Sequence, residues 1–302
     1  MSECFKLRHY TVYTYEEAVE SAHNQMRMLL RDVPGQTCLQ RTVRIRPRPD
    51  WGKLRTDWFG NRVLWTEMRR PHTVAKIFLQ HVIEVQAPRL PEPTDTPRLG
   101  ALQSLLREPL WAQDPSISLF RLPSRLVPDL PVVELWAAEF LRPELPVLQA
   151  AMNLMTHIYK SFRFNPQATS ISTPIDEVLR RREGVCQDFA HLMIAALRSH
   201  GLAARYVSGY IETLPPPGQP RLVGADASHA WLSLWCGPER GWQDLDPTNG
   251  HRPRGQHLTT AWGRDYDDVM PLNGVICGGG ESSTLRVRVD LERQPNRNDS
   301  SA

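Results

Sequence analysis

Through residue 86 the apolar positions fall in short runs bounded by turn formers: Phe5 to Tyr15, Gln25 to Leu30, Thr37 to Arg46, Arg62 to Met68 and Thr73 to Val85. Val43 and Ile45 alternate with Arg44 and Arg46, the period of two that a half-buried strand requires. Gly60-Asn61, between Phe59 and Arg62, has the composition of a tight hairpin turn. Several short strands without helical patterning predict an N-terminal β-sandwich domain over residues 1–88. Residues 89–98 are proline-rich, lack a periodic apolar face and read as a linker. A second domain is expected over residues 99–290, and a polar, disordered tail over 291–302. Pro215-Pro216-Pro217 reads as an exposed loop between strands.

In the second domain the period changes to that of helices. From Pro146 to Phe162, Leu148, Met152, Met155, Ile158 and Tyr159 recur at spacings of three and four. From Arg181 to Gly201, the residues Phe189, Leu192, Met193, Ala196 and Leu197 form one buried helix face. Gly184 precedes that helix and Gly201 follows it, at positions suited to an unusual turn and to a left-handed helix stop. Cys186 then falls in the first turn, where unpaired backbone N–H groups and the helix dipole favour an anion. A thiolate is the reactive form expected there, and the N–H groups of Cys186 and Gln187 are candidates to receive an oxyanion. A cysteine at a helix start is, taken alone, as readily a small packed thiol.

Ser228 to Asp246 reads as two apolar strands around a turn containing Gly237, Pro238 and Gly241. With His229 directly opposite Asp246, both side chains project from one face of the hairpin, and the carboxylate can fix the imidazole's tautomer. The imidazole in turn pairs with the thiol. Cys236, seven residues from His229, faces the other side. Asp188 and His191, three apart on the helix, can interact with each other or with the sheet, and Asp188 and Trp231 are candidates to support the three principal residues. Singly, His229 reads as packing and Asp246 as the start of an Asp-Pro turn. The combination of the three points to cysteine nucleophilic chemistry.

Composition narrows the alternatives. A chain of 302 residues, 41% hydrophobic and 23% charged, can bury two ordinary cores. Its net charge of +3 is carried by scattered arginines without the clustered basic stripe of a nucleic-acid binder. No uninterrupted apolar stretch has the length of a membrane span and no signal peptide opens the chain, so a cytoplasmic location is expected. Five cysteines, Cys4, Cys38, Cys186, Cys236 and Cys277, are widely and irregularly spaced, which predicts free thiols in a reducing compartment and no CxxC metal site.

Three segments, GVCQDFAH at 184–191, SHAW at 228–231 and GWQDLDPTNG at 241–250, closely resemble the core of the transglutaminase-like superfamily in order and spacing. The strand ARYVSGYI at 204–211, the stretch GRDYDDV at 263–269 followed by PLNG, and the turn Asp57-Trp58-Phe59-Gly60-Asn61 resemble the bacterial two-domain members. The resemblance implies an α+β fold: the β-sandwich, then a papain-like core with the cysteine helix packed on an antiparallel sheet. Position by position it assigns the nucleophile to Cys186, the histidine to His229 and the aspartate to Asp246. It implies a peptide or protein amide substrate, no cofactor and no metal, since the CxxC pairs of zinc-ribbon relatives are missing. It leaves the oligomeric state open. Hydrolysis as a peptidase or amidase is the first expectation, because water is always present to attack a thioester. Transglutamination, with Trp231, Trp235 and Trp242 as candidate walls of an amine channel, is the alternative, and a non-catalytic peptide-binding module is a third reading.

Overall fold

The computed structural model describes residues 2–212 and 227–294. Five strands come first: β1 (Ser2–Met26), β2 (Gln36–Arg46), β3 (Trp51–Thr56), β4 (Arg62–Met68) and β5 (His72–Gln86). Then follow α1 (Leu99–Leu105), α2 (Pro109–Ala112), α3 (Pro115–Ser118), α4 (Pro131–Ala137), α5 (Val147–Ser161), β6 (Arg163–Phe164), α6 (Ile175–Arg181), β7 (Glu183–Gly184) and α7 (Cys186–Ser199). The chain closes with β8 (Ala204–Ile211), β9 (Ala227–Trp235), β10 (Trp242–Leu245), β11 (His257–Gly263), α8 (Tyr266–Val269), β12 (Leu272–Gly278) and β13 (Ser283–Gln294). The expected triple-proline loop and residues 295–302 of the expected tail lie outside the described residues.

The N-terminal strands take the form of one continuous curled antiparallel sheet, ordered β2-β5-β1-β4-β3. The segments predicted separately at 5–15 and 25–30 merge into the single 25-residue β1, which ends at Met26, and β3 was not foreseen. So long a strand presents two edges that need partners. The first half of β1 pairs β5 on one side and β13 on the other; the second half pairs β4 and β12. Residues 272–294, which the sequence reading assigned to the second domain and to the first positions of the tail, therefore complete the N-terminal sheet. Leu291 to Gln294 are strand, and Val289 and Leu291 are buried beside Phe5 and Leu7. Leu285, Val287, Val289 and Leu291 alternate with Arg286, Arg288, Asp290 and Glu292, the strand signal that went unread.

In the second half of the chain, a four-stranded antiparallel sheet ordered β10-β9-β8-β11 packs on α7. The helix is buried on every side from Asp188 to Arg198, not on one face as its apolar spacing predicted. It runs through the middle of the domain, with α4, α5 and α6 against it on one side and β8 and β9 on the other. Gly201, at φ +73°, takes the left-handed position expected after its last turn.

The two sheets meet at β11, an edge strand whose free backbone groups are served by side-chain amides of the N-terminal half. Gln36 Nε2 donates to the Thr259 carbonyl at 2.9 Å, and Thr259 N–H donates to Gln36 Oε1 at 2.8 Å. Asn61, from the hairpin turn before β4, does the same for Trp262: Nδ2 donates to its carbonyl at 2.8 Å and Oδ1 accepts its N–H at 2.9 Å. Each amide supplies one donor and one acceptor, which is what one residue of a neighbouring strand would offer. Tyr210 and Leu258 complete the contact by packing among Phe5, Leu7 and Ile83. Among the described residues no helix is long and apolar enough to cross a membrane.

Asn61→Ala removes the partners of two backbone groups that it shields from water, and should lower unfolding stability by about 2 kcal/mol or more, read as a lower urea midpoint. A second expectation concerns acid. Burial holds His9 and His81 down to about 4 and His191 to about 3. These rings stay neutral in the fold while the unfolded chain protonates near its ordinary value of about 6.5. Stability present above that value should therefore fall between about pH 6.5 and 4, by up to ~1.4 kcal/mol per pH unit for each histidine. Chemical denaturation across that range, with His81→Phe flattening the slope, checks it.

Candidate active site

Cys186 is the first residue of α7 and is partly exposed. The helix start is fixed by Asp188, whose Oδ2 accepts the Val185 N–H at 2.8 Å and the Thr169 hydroxyl at 2.6 Å. This return contact leaves no room beside Gly184, where a Cβ would stand 2.8 Å from Asp188 Oδ2. Gly184 is thus needed for closeness and not for an unusual backbone turn, since its φ is ordinary. Of the two alternatives for Asp188 and His191, contact with each other or with the sheet, His191 takes the second: both residues are buried, the His191 ring packs on Tyr206 of β8, and its Nε2 accepts the Tyr266 N–H at 3.2 Å. Cys186 and Gln187, as the first two helical residues, present N–H groups that no preceding turn can satisfy.

The hairpin carries the other two residues in a register shifted from the expected one. Trp242 lies opposite Trp235 and Leu245 opposite Leu232, so the ladder would set Asp246 against Trp231 and not against His229. The shift is two residues, which preserves the face, and β10 ends as the Asp246-Pro247 turn begins. Asp246 Oδ1 accepts the N–H groups of Thr248 and Asn249 at 3.0 and 3.1 Å, an Asx-type turn. Its Oδ2 accepts from His229 Nε2 at 2.8 Å, His257 Nε2 at 2.9 Å and Asn249 Nδ2 at 2.7 Å. The aspartate is therefore both the turn starter and the partner of the histidine.

Because a carboxylate only accepts, His229 carries its proton on Nε2 and leaves Nδ1 unprotonated, on a ring whose charge is coupled to Cys186. Burial works against a charged ring here, but the hydrogen bond to Asp246 and the influence of the Asp246 carboxylate and the Cys186 thiol push His229 up to about 10. Burial likewise opposes ionised Asp246, and its bonds to the two histidines overcome that and hold it well below the usual carboxylate range. Trp231 is fully buried, with its ring 6.1 Å from that of His229, and its Nε1 donates to Asp244 at 3.2 Å. Of the other candidate channel walls, Trp235 packs on Trp111 in the helical core and Trp242 lies against Arg205. Cys236 faces that core as parity required, and burial pushes its thiol up to about 12.

Sequence reasoning missed His257 and Asn249. Asn249 lies inside the quoted 241–250 segment and was legible there as a turn amide. His257 carries no local signal: β10 and β11 are opposite edges of the sheet, and only the crossing of residues 246–257 between them brings His257 to Asp246. Donor atoms of His229, Asp246 and His257 lie within 4.8 Å of one another, close enough for a His-carboxylate metal set. Their arrangement is that of hydrogen bonds, with both Nε2 atoms converging on one carboxylate oxygen.

Comparison with known proteins agrees with this fold. The family model described as the transglutaminase-like superfamily matches residues 135–247, and that of the bacterial transglutaminase-like N-terminal region matches residues 5–84. The chain belongs to the transglutaminase-like superfamily. Within this superfamily it is 35% identical to an uncharacterized protein of Mycobacterium tuberculosis over 296 residues, covering 95% of this chain and 92% of that one. An uncharacterized protein of Mycobacterium leprae is 30% identical over 94% of this chain and 97% of its own length. A protein-glutamine gamma-glutamyltransferase of Pseudomonas aeruginosa is 34% identical over 103 residues, 34% of this chain and 15% of that protein. Among solved structures, a candidate cysteine protease from Cytophaga hutchinsonii superposes with a TM-score of 0.76 at 19% identity, covering 98% of this chain and 92% of that one. That likeness establishes a shared transglutaminase-like fold.

NMR titration of the His229 ring should place its midpoint far above the ordinary 6.5. In Asp246→Asn the loss of the negative charge should move that midpoint down by more than one pH unit. An unchanged midpoint would show that the carboxylate does not hold the imidazolium.

Proposed function

We propose that the protein is a cysteine-dependent amide-bond hydrolase acting on peptide or protein substrates. The observation that carries this reading is the hydrogen bond from His229 Nε2 to the buried Asp246 carboxylate, on a ring whose charge is coupled to Cys186, a partly exposed thiol at a helix N-terminus. The Cys186 proton passes to His229 Nδ1 and the thiolate attacks the amide carbonyl. The backbone N–H groups of Cys186 and Gln187 are suited to receive the oxyanion, and Asp246 stabilises the imidazolium that forms. On collapse of the tetrahedral adduct the C–N bond breaks, the amine leaves with the proton from His229, and a thioester remains on Cys186. Water, deprotonated by His229, then attacks the thioester and releases the acid and the thiol. Asp188 holds the helix start, and Trp231 backs the histidine. The five free cysteines fit a reducing compartment.

A second reading, transamidation, draws on the local similarity to the Pseudomonas gamma-glutamyltransferase. A primary amine would replace water in the second half-reaction, and ammonia would be the first leaving group.

Intact-mass analysis of a peptide library containing glutamine, with and without a primary amine, separates the two. Cleaved or deamidated products that depend on Cys186 support hydrolysis, and an amine adduct with loss of ammonia supports transamidation. Cys186→Ala should abolish turnover, and Asp246→Asn should lower kcat by about a thousandfold or more. Turnover that survives Cys186→Ala would sink both readings.

A further inference from the structure

Alternate residues of β8 and β9 face opposite sides of their sheet. Ala204, Tyr206, Leu232 and Leu234 join the helical core, while Arg205 and Ser233 face away from it. On that second side lies a cavity of about 490 Å³, bounded by the segment around Arg89 and by Gln36 of the N-terminal half. His257 lines it too, and so do Trp242, Asp244 and Trp262. It is thus immediately behind Asp246, separated from it by one imidazole ring.

Two of the lining residues carry buried polar atoms that have no hydrogen-bond partner, Arg205 Nε and His257 Nδ1. The Arg205 guanidinium lies 3.7 Å from the ring centre of Trp262 and 4.4 Å from that of Trp242, so its faces are covered by indole while its Nε–H is unmet. Burial lowers Arg205 only to about 9, and it stays cationic at neutral pH. His257 donates from Nε2 to Asp246, and burial keeps the ring neutral, so Nδ1 is an acceptor waiting for a donor. Ten such side-chain atoms occur among the described residues, and these two belong to residues that line one cavity. The charges that face the cavity are Arg205 and Arg89 on one hand and Asp244 on the other. The Asp244 oxygens are engaged by the Ser233 hydroxyl and Trp231 Nε1.

The unmet groups call for a ligand with an anionic acceptor at one point and an N–H donor at another, in a cavity that already holds charges of both signs. We propose that this cavity binds a free amino acid, its carboxylate against Arg205 and its ammonium toward His257 Nδ1 and Asp244. Cys186 does not line this cavity, but His257 and His229 share one oxygen of Asp246. An N–H donated to His257 Nδ1 makes the ring a stronger donor through Nε2 only when the ring gains positive character. The Asp246 charge is then drawn toward His257, and a bound ammonium lies closer to His229. Both effects disfavour the His229 imidazolium, so ligand binding should lower its titration midpoint.

The test is a melting-temperature screen of the wild type and of Cys186→Ala with each of the twenty L-amino acids at millimolar concentration, followed by calorimetric titration of those that act. At least one amino acid should raise the melting temperature saturably and equally in both proteins, which separates this site from Cys186 and from the proposed reaction. Arg205→Gln and His257→Gln should each lose saturable binding. Should either variant fail to fold, the His229 ring followed by NMR in the wild type supplies the second readout, with the expected downward shift on adding the amino acid. Absence of any saturable shift across the twenty would overturn the proposal and leave the cavity to water. So would binding that persists in folded Arg205→Gln, or binding that leaves the His229 midpoint unmoved.

Discussion

A carboxylate with no exposure to solvent is costly to keep ionised, and Asp246 is fully buried. It is held by five donors: two backbone N–H groups of the turn it starts, one side-chain amide and two imidazoles. Those donors come from three places in the fold, β9, the loop after β10, and β11. The hydrogen-bond demand of one side chain therefore fixes where a strand must end, how tightly the chain must turn and which residues must cross between the edges of the sheet. The orientation of His229 toward Cys186 follows from it, because a ring whose Nε2 is engaged by the carboxylate has Nδ1 directed elsewhere.

The sulfur end of the arrangement depends on a smaller device of the same kind. Asp188 folds back onto the Val185 N–H and leaves no space for a side chain at residue 184. The helix start is thereby held from inside, and its first N–H groups have no preceding turn to satisfy them. Rigid support at both ends suits the proposed chemistry, which would rely on prior alignment of the thiol, the ring and the backbone N–H groups.

The N-terminal sheet is integral to this support. Gln36 and Asn61 give the edge strand β11 the hydrogen bonds of a missing neighbour, and β11 begins with His257. The turn residues 57–61 thus connect the domain contact to the strand that braces Asp246. The return of β12 and β13 to β1 ties the first and last described strands into the same sheet, so the two halves are joined by strand pairing as well as by residues 87–98.

Local pattern determined a good deal of this. The spacing of apolar residues marked α5 and α7. The glycine before Cys186, the glycine after α7 and the Asp-Pro pair after β10 marked where elements start and stop. Cys186, His229 and Asp246 were legible together because each sits in a short segment whose composition is informative without reference to distant residues. Periodicity, however, reports that a face is buried and not what buries it. It could not tell that α7 is enclosed on all sides, that β13 pairs with the first strand of the chain, or that the hairpin ladder is shifted by two residues. Nor could it point to His257, an unremarked histidine until residues 246–257 cross the sheet. These features were decided only in the tertiary structure, because strand partners and buried polar contacts are selected by which edges and which charges remain unsatisfied once the rest of the chain has packed.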